Sequence, residues 1–161
     1  MMMRVRLLVV GVLFLLGGLA ARPATAGDVT AFVTFPSPTD EWSRGYGAAL
    51  ATTWFQAISL EGEAARMPGE LGDSNMTSFT GSVLLAPPLG PLVPYGGIGI
   101  GLFRQTVGTE SDTGTVRCFV LGAKLKLGLA VVKGEYRHID LSGEPLLPMD
   151  HRISFGAGIS F

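Results

Sequence analysis

The feature that most restricts how this chain can fold is a two-residue beat. From Ile153 to the end, the odd positions are apolar (Ile153, Phe155, Ala157, Ile159, Phe161) and the even ones small or polar (Ser154, Gly156, Gly158, Ser160). Successive side chains of a β-strand point to opposite faces, so this period is a strand's and not a helix's. The beat recurs along the chain, giving strands over Asp28 to Phe35, Gly45 to Thr53, Ala57 to Met67, Met76 to Leu85, Leu92 to Gln105, Thr115 to Lys126, Leu129 to Ile139 and His151 to Phe161. No segment between them keeps a helical period, which makes the protein all-β with eight strands.

The connections alternate in length. Pro36 to Arg44, Pro68 to Asn75, Thr106 to Gly114 and Asp140 to Asp150 read as long loops. Trp54 to Gln56, Ala86 to Pro91 and Leu127 to Gly128 read as short ones. In an up-and-down sheet every second connection falls on the same side, so one rim is elaborated and the other merely closed, as in outer-membrane barrels.

The two faces differ in kind. One set is bulky and apolar (Ile98, Ile100 and Leu102; Phe119, Leu121 and Leu125; Phe155 and Ile159), and the opposing set is glycine, serine and charge (Gly97, Gly99 and Gly101; Gly122 and Lys124; Lys133, Glu135 and Arg137). Such a second set makes a poor solvent surface but suits the crowded interior of an eight-stranded barrel, which side chains just fill. Large apolar residues toward lipid and small or charged ones inward is the arrangement of a membrane barrel. Lipid also forbids an unpaired strand edge, so the first strand must close on the last. The expected fold is a closed eight-stranded antiparallel up-and-down transmembrane β-barrel.

The one continuous apolar run, Leu7 to Ala21, is preceded by Arg4 and Arg6 and followed by Ala24-Thr25-Ala26. That is the form of a cleavable secretory signal peptide, and at about 15 residues the run is short for a spanning helix. The expected division is a signal peptide over 1–26 and a barrel domain over 27–161. Residues 1–26 carry three of the twelve basic residues (Arg4, Arg6, Arg22) and no acidic one, leaving nine basic against thirteen acidic residues in the barrel. That balance offers no electrostatic footprint for nucleic acid. Cys118 stands alone, so neither an intrachain disulfide nor a cysteine-based zinc site is expected.

By strand parity Glu61, Glu63, Lys124, Lys133, Glu135, Arg137 and Arg152 all face the lumen. Charges in a tight interior must pair, so a lumen salt-bridge network filling the barrel is expected in preference to an ion path. With the N-terminus periplasmic, Phe35, Tyr46, Phe119 and Tyr136 fall toward the outer ends of their strands and Trp54 at the inner rim, as two interfacial aromatic belts.

On "YGGIGIGLF", "VKGEYRHIDL" and "ISFGAGISF", the chain from Asp28 to Phe161 resembles the small eight-stranded outer-membrane β-barrels of Gram-negative bacteria, of the OmpA transmembrane-domain and OmpX type. The resemblance implies a non-enzymatic integral outer-membrane protein. Its partners would be outer-membrane lipids and lipopolysaccharide, the barrel-assembly machinery during insertion, and a host or environmental ligand at the external loops. It implies no cofactor and no metal. It also implies that Phe155, Ile159 and Phe161 form the terminal signal read by that machinery. The peptidoglycan-binding domain that often follows in the OmpA type is not expected to carry over.

Other motifs yield less. The glycines of "GGIGIG" repeat every second residue with no helix after them, so they are no dinucleotide fingerprint. His138, Asp140 and Ser142 near the outer rim raise a second reading, a lipid A-modifying, deacylase-like barrel enzyme. Those enzymes set His and Ser two apart on one strand, where this chain has His138 and Asp140. A general-diffusion porin is disfavoured by the strand count. A soluble lipocalin-like binder would need the faces exchanged.

Overall fold

The computed structural model describes residues 27–37, 42–54, 57–69 and 73–161. The leader expected over 1–26 lies outside the described residues. Eight strands follow one another in chain order: β1 (Gly27–Pro36), β2 (Gly45–Trp54), β3 (Ile58–Pro68), β4 (Ser74–Leu85), β5 (Leu92–Val107), β6 (Glu110–Leu127), β7 (Ala130–Ser142) and β8 (His151–Ser160). Each pairs antiparallel with its neighbour, and β8 returns to β1, so the sheet is closed. At the seam the Gly27 amide donates to the Phe161 carbonyl at 2.7 Å, and the Phe161 amide donates back to Gly27 at 2.9 Å.

The registers fix the shape. Residues paired in sequence from Gly27 run through Thr52, Leu60, Val83, Ile98, Phe119, His138 and His151, and His151 meets β1 again at Ser37. The path therefore returns ten residues along the strand on which it began. For eight strands that stagger corresponds to a tilt of about 40°. A ten-residue strand such as β1 or β8 then rises roughly 25 Å, the height of the apolar band of a membrane barrel.

The termini share one rim with the connections after β2, β4 and β6. The opposite rim, called the loop rim below, carries those after β1, β3, β5 and β7. One expected loop is absent. Thr106 to Gly114 is strand on both sides of a two-residue turn, Gly108-Thr109, with Val107 paired to Glu110. Gly108 has φ +59° and Gly128, in the β6–β7 turn, has φ +66°; two-residue hairpins need that positive φ, which glycine adopts without strain. β5 and β6, at 16 and 18 residues, consequently project as a hairpin beyond the loop rim.

Candidate functional site

Parity sorts the side chains as the sequence implies through most of the wall. Ile98 is 68% exposed, Leu121 55% and Phe155 60%, whereas Arg137 is 1% exposed. Inside a narrow cylinder the inward positions must be small wherever a large neighbour leans in. A Cβ on Gly122 would lie 2.6 Å from the Tyr95 hydroxyl, and one on Gly156 would lie 2.9 Å from the Phe32 Cβ.

The lower part of the lumen, nearer the termini, is ionic. Glu61 on β3 stands at its centre, with Arg137 Nη2 at 2.7 Å, Lys133 Nζ at 3.3 Å and Lys124 Nζ at 3.9 Å. Glu135 receives Arg137 Nε at 2.6 Å and Lys133 Nζ at 3.4 Å, and accepts a hydrogen bond from the Tyr95 hydroxyl at 2.9 Å. Glu63 lies 3.0 Å from Arg137 Nη2 and also pairs with Arg152. At the bottom, Lys124 donates to both carboxylate oxygens of Asp28 at 3.0 Å. Arg137 also donates from Nη1 to the Thr80 hydroxyl at 3.0 Å and to the Cys118 sulfur at 3.8 Å. Cations also lie over rings: Lys133 is 5.5 Å and Arg152 5.9 Å from the Phe32 centroid, and Lys124 is 5.3 Å from that of Tyr95.

All seven lumen charges named from the sequence are thus brought together. Asp28, Tyr95, Thr80 and Phe32 belong to the same cluster and were missed. Asp28 takes its inward parity from the alternation of Val29, Ala31, Val33 and Phe35, the signal that could have found it. Its acid gives the cluster four carboxylates against four cations, so the cluster is balanced in charge. Glu61, Glu63 and Glu135 hold carboxylate oxygens within 4.8 Å of one another, a spacing a metal ion could use. Here the Arg137 guanidinium contacts all three and takes the position a cation would occupy.

The upper part of the lumen is apolar. Trp42, Met67, Met76, Phe103, Val116, Ile139 and Met149 pack in one buried cluster, with Leu141 and Leu147 against it. Residues 143–150, between β7 and β8, fold back over the mouth instead of standing free. Gln105 donates from Nε2 to the Leu147 carbonyl at 2.8 Å and accepts from the Leu147 amide at 3.2 Å. Trp42 donates from its indole nitrogen to the Pro148 carbonyl at 3.2 Å. The mouth is therefore stoppered by the chain itself.

A polarity reversal accompanies this change of filling. Toward the loop rim, apolar residues turn inward (Met67, Met76, Phe103, Val116, Ile139) and their outward neighbours become polar (Arg66, Thr77, Arg104, Arg117, Asp140). Phe35, Tyr46, Phe119 and Tyr136, placed in the outer belt from sequence, are the last outward apolar residues of their strands before the switch. Each is exposed, and Trp54 lies exposed at the opposite rim. Tyr136 packs on the His151 ring at 5.8 Å and Phe35 on Phe155 at 6.3 Å. Phe155, Ile159 and Phe161 face outward at 60%, 61% and 60% exposure, as wall residues.

The residues of the enzymatic reading are spread apart. His138, Asp140 and Ser142 lie on one extended strand, β7. His138 and Ser142 are thereby separated by about 13 Å between Cα atoms. A catalytic triad needs hydrogen-bond contact between its members. His138 and Asp140 are exposed on the outer wall, beside Phe119 and Arg117, and point into no cavity.

The chain matches no family model and no curated protein sequence. Its structure resembles solved ones. The N-terminal β-barrel domain of OprF from Pseudomonas aeruginosa superposes with a TM-score of 0.61 at 15% identity, covering 84% of this chain and 97% of that domain. Neisserial surface protein A gives 0.61 at 13% identity, covering 84% and 94%. Ail, the attachment invasion locus protein of Yersinia pestis, solved in complex with the heparin analogue sucrose octasulfate, gives 0.50 at 15% identity, covering 85% and 96%. With its closed sheet and outward apolar band, the chain has the fold of the small eight-stranded barrels that span the Gram-negative outer membrane.

Proposed function

We propose that this protein is a non-enzymatic integral protein of the Gram-negative outer membrane, a closed scaffold that presents its loop rim to the exterior and conducts no solutes. The observation that carries this reading is the filling of the lumen from end to end. A neutral ion-pair cluster occupies the lower part, and the stopper formed by Met149, Leu147 and Trp42 occupies the mouth. Among the described residues the gap left in the lumen, beside Thr80, Cys118 and Arg137, is of about the size of one water, so interaction falls to the loop rim, where a rigid scaffold normally carries recognition. The fold likeness to Ail, which holds a sulfated sugar analogue, supports a host or environmental ligand at that rim.

On this reading residues 1–26 are removed on export, and the Phe155, Ile159 and Phe161 stave is what the assembly machinery recognises. The test is fractionation of expressing cells together with recordings on the refolded protein in planar bilayers. The expected result is an outer-membrane protein whose gel mobility changes on boiling, whose mature N-terminus is Gly27, and which gives no resolved conductance steps. Recovery in the soluble periplasmic fraction sinks the topology. Steady open channels sink the closed lumen.

A further inference from the structure

The outward face of the barrel is electrically lopsided. Among the described strand residues, the outward-facing charges are Arg66, Arg104, Arg117 and Asp140, and all four lie on the loop-rim side of the apolar band. Toward the terminal rim the same face carries Trp54, Ile58, Leu85, Leu92 and Leu127, with no charge. A membrane with chemically identical leaflets would not call for such a difference.

Arg66 and Arg104 share a neighbour. Thr77 is the register partner of Arg66 across β3–β4 and of Arg104 across β4–β5, so the three lie side by side on one face. The arginines are two strand spacings apart, about 10 Å between Cα atoms, with the threonine hydroxyl between them. Among the described residues neither forms an ion pair, whereas Arg117 faces Asp140 directly across β6–β7. Ile100 and Leu102 continue the surface below Arg104 with exposed aliphatic side chains. Two unneutralised guanidinium forks and a hydroxyl above a greasy wall match a phosphate above acyl chains, because arginine binds phosphate bidentately through charge-assisted hydrogen bonds.

We propose that Arg66, Thr77 and Arg104 seat a phosphate of the phosphorylated glycolipid of the outer leaflet, with the acyl chains lying along Ile100 and Leu102. The inference rests on the reading above that the loop rim faces outward. The glycolipid is favoured over a phospholipid because, among the described strand residues, the outward-facing cations all lie toward the loop rim, while the outward face toward the terminal rim carries none; Lys126, near that rim, has the inward parity.

The full barrel, refolded into phosphatidylcholine nanodiscs doped with lipid A, with dephosphorylated lipid A or with phosphatidylglycerol, gives the test through native mass spectrometry of retained lipid. Wild type is expected to retain lipid A in preference to the other two. Arg66→Gln/Arg104→Gln should reduce that retention about tenfold, from the loss of charged hydrogen bonds, while its gel mobility still shifts on boiling. If the double variant does not fold, Arg104→Gln should lower retention and Arg104→Lys should recover part of it. Unchanged retention in the variants, or equal retention of dephosphorylated lipid A or phosphatidylglycerol, overturns the proposal. Labelling of Thr109→Cys, in the exposed β5–β6 turn, by a membrane-impermeant maleimide on intact cells reports the orientation separately, so a failure there strikes the topology and leaves the lipid measurement standing.

Discussion

The two halves of this barrel obey opposite rules. Toward the termini, carboxylates and cations share the interior with Leu84, Val93 and Val131, and Ile98, Leu121 and Phe155 face out. Toward the loop rim, Met67, Met76 and Phe103 fill the interior while Arg66, Thr77 and Arg104 face out. The difference follows from what surrounds each half. Against hydrocarbon an exposed apolar side chain costs nothing and the interior is the one place left for charge. Where the wall emerges into headgroups and water, ordinary burial returns and the apolar residues move inside. A single strand such as β5 thus changes allegiance midway, between Leu102 and Phe103.

The comparison can be broken most sharply at Arg137. Arg137→Ala removes the cation shared by Glu61, Glu63 and Glu135, and the loss of one partner from a buried ionic cluster costs about 3–5 kcal/mol. A loss of that size is expected in the unfolding free energy of the refolded protein, seen as a lower urea or heat midpoint by gel mobility; wild-type resistance would show that the ionic half contributes little. Met76→Ala, in the apolar half, should leave a cavity and cost about 2–3 kcal/mol. A second measurement sharpens the contrast: sodium sulfate strengthens apolar burial and scarcely screens enclosed ion pairs, so the urea midpoint should rise with added sulfate, and a fall would mean that the ionic half is open to solvent. The smallest effect is expected from Gln105→Leu, which unties both hydrogen bonds to Leu147. A loss of about 1 kcal/mol should appear chiefly as faster proteolysis within 143–150, and unaltered cleavage would mean that the stopper is held by packing alone.

What was legible in the sequence is what alternation encodes. Eight strands, their faces and seven of the lumen charges follow from parity, because in the hydrocarbon-facing half every residue has a strict side. The loop-rim half hid itself for the converse reason. Around Thr106 to Gly114 both faces of the β5–β6 hairpin reach water, the beat dissolves into polar residues, and a strand reads as a loop. Met67 and Met76 hold inward parity but have the wrong chemistry for a membrane-barrel interior. Trp42 and Met149 belong to connections, where no period announces that a side chain folds back into the mouth. Arg66 and Arg104 could have been found by asking which outward positions break the apolar run.

The seam between Gly27 and Phe161 has a bearing on biogenesis. The strand that seals the cylinder is the last of the eight to leave the ribosome, and its partner is the first. Until that meeting, every partial sheet has two raw margins of unbonded amides and carbonyls, the species most prone to stick to its own kind. Those margins disappear together, when the last stave meets the first.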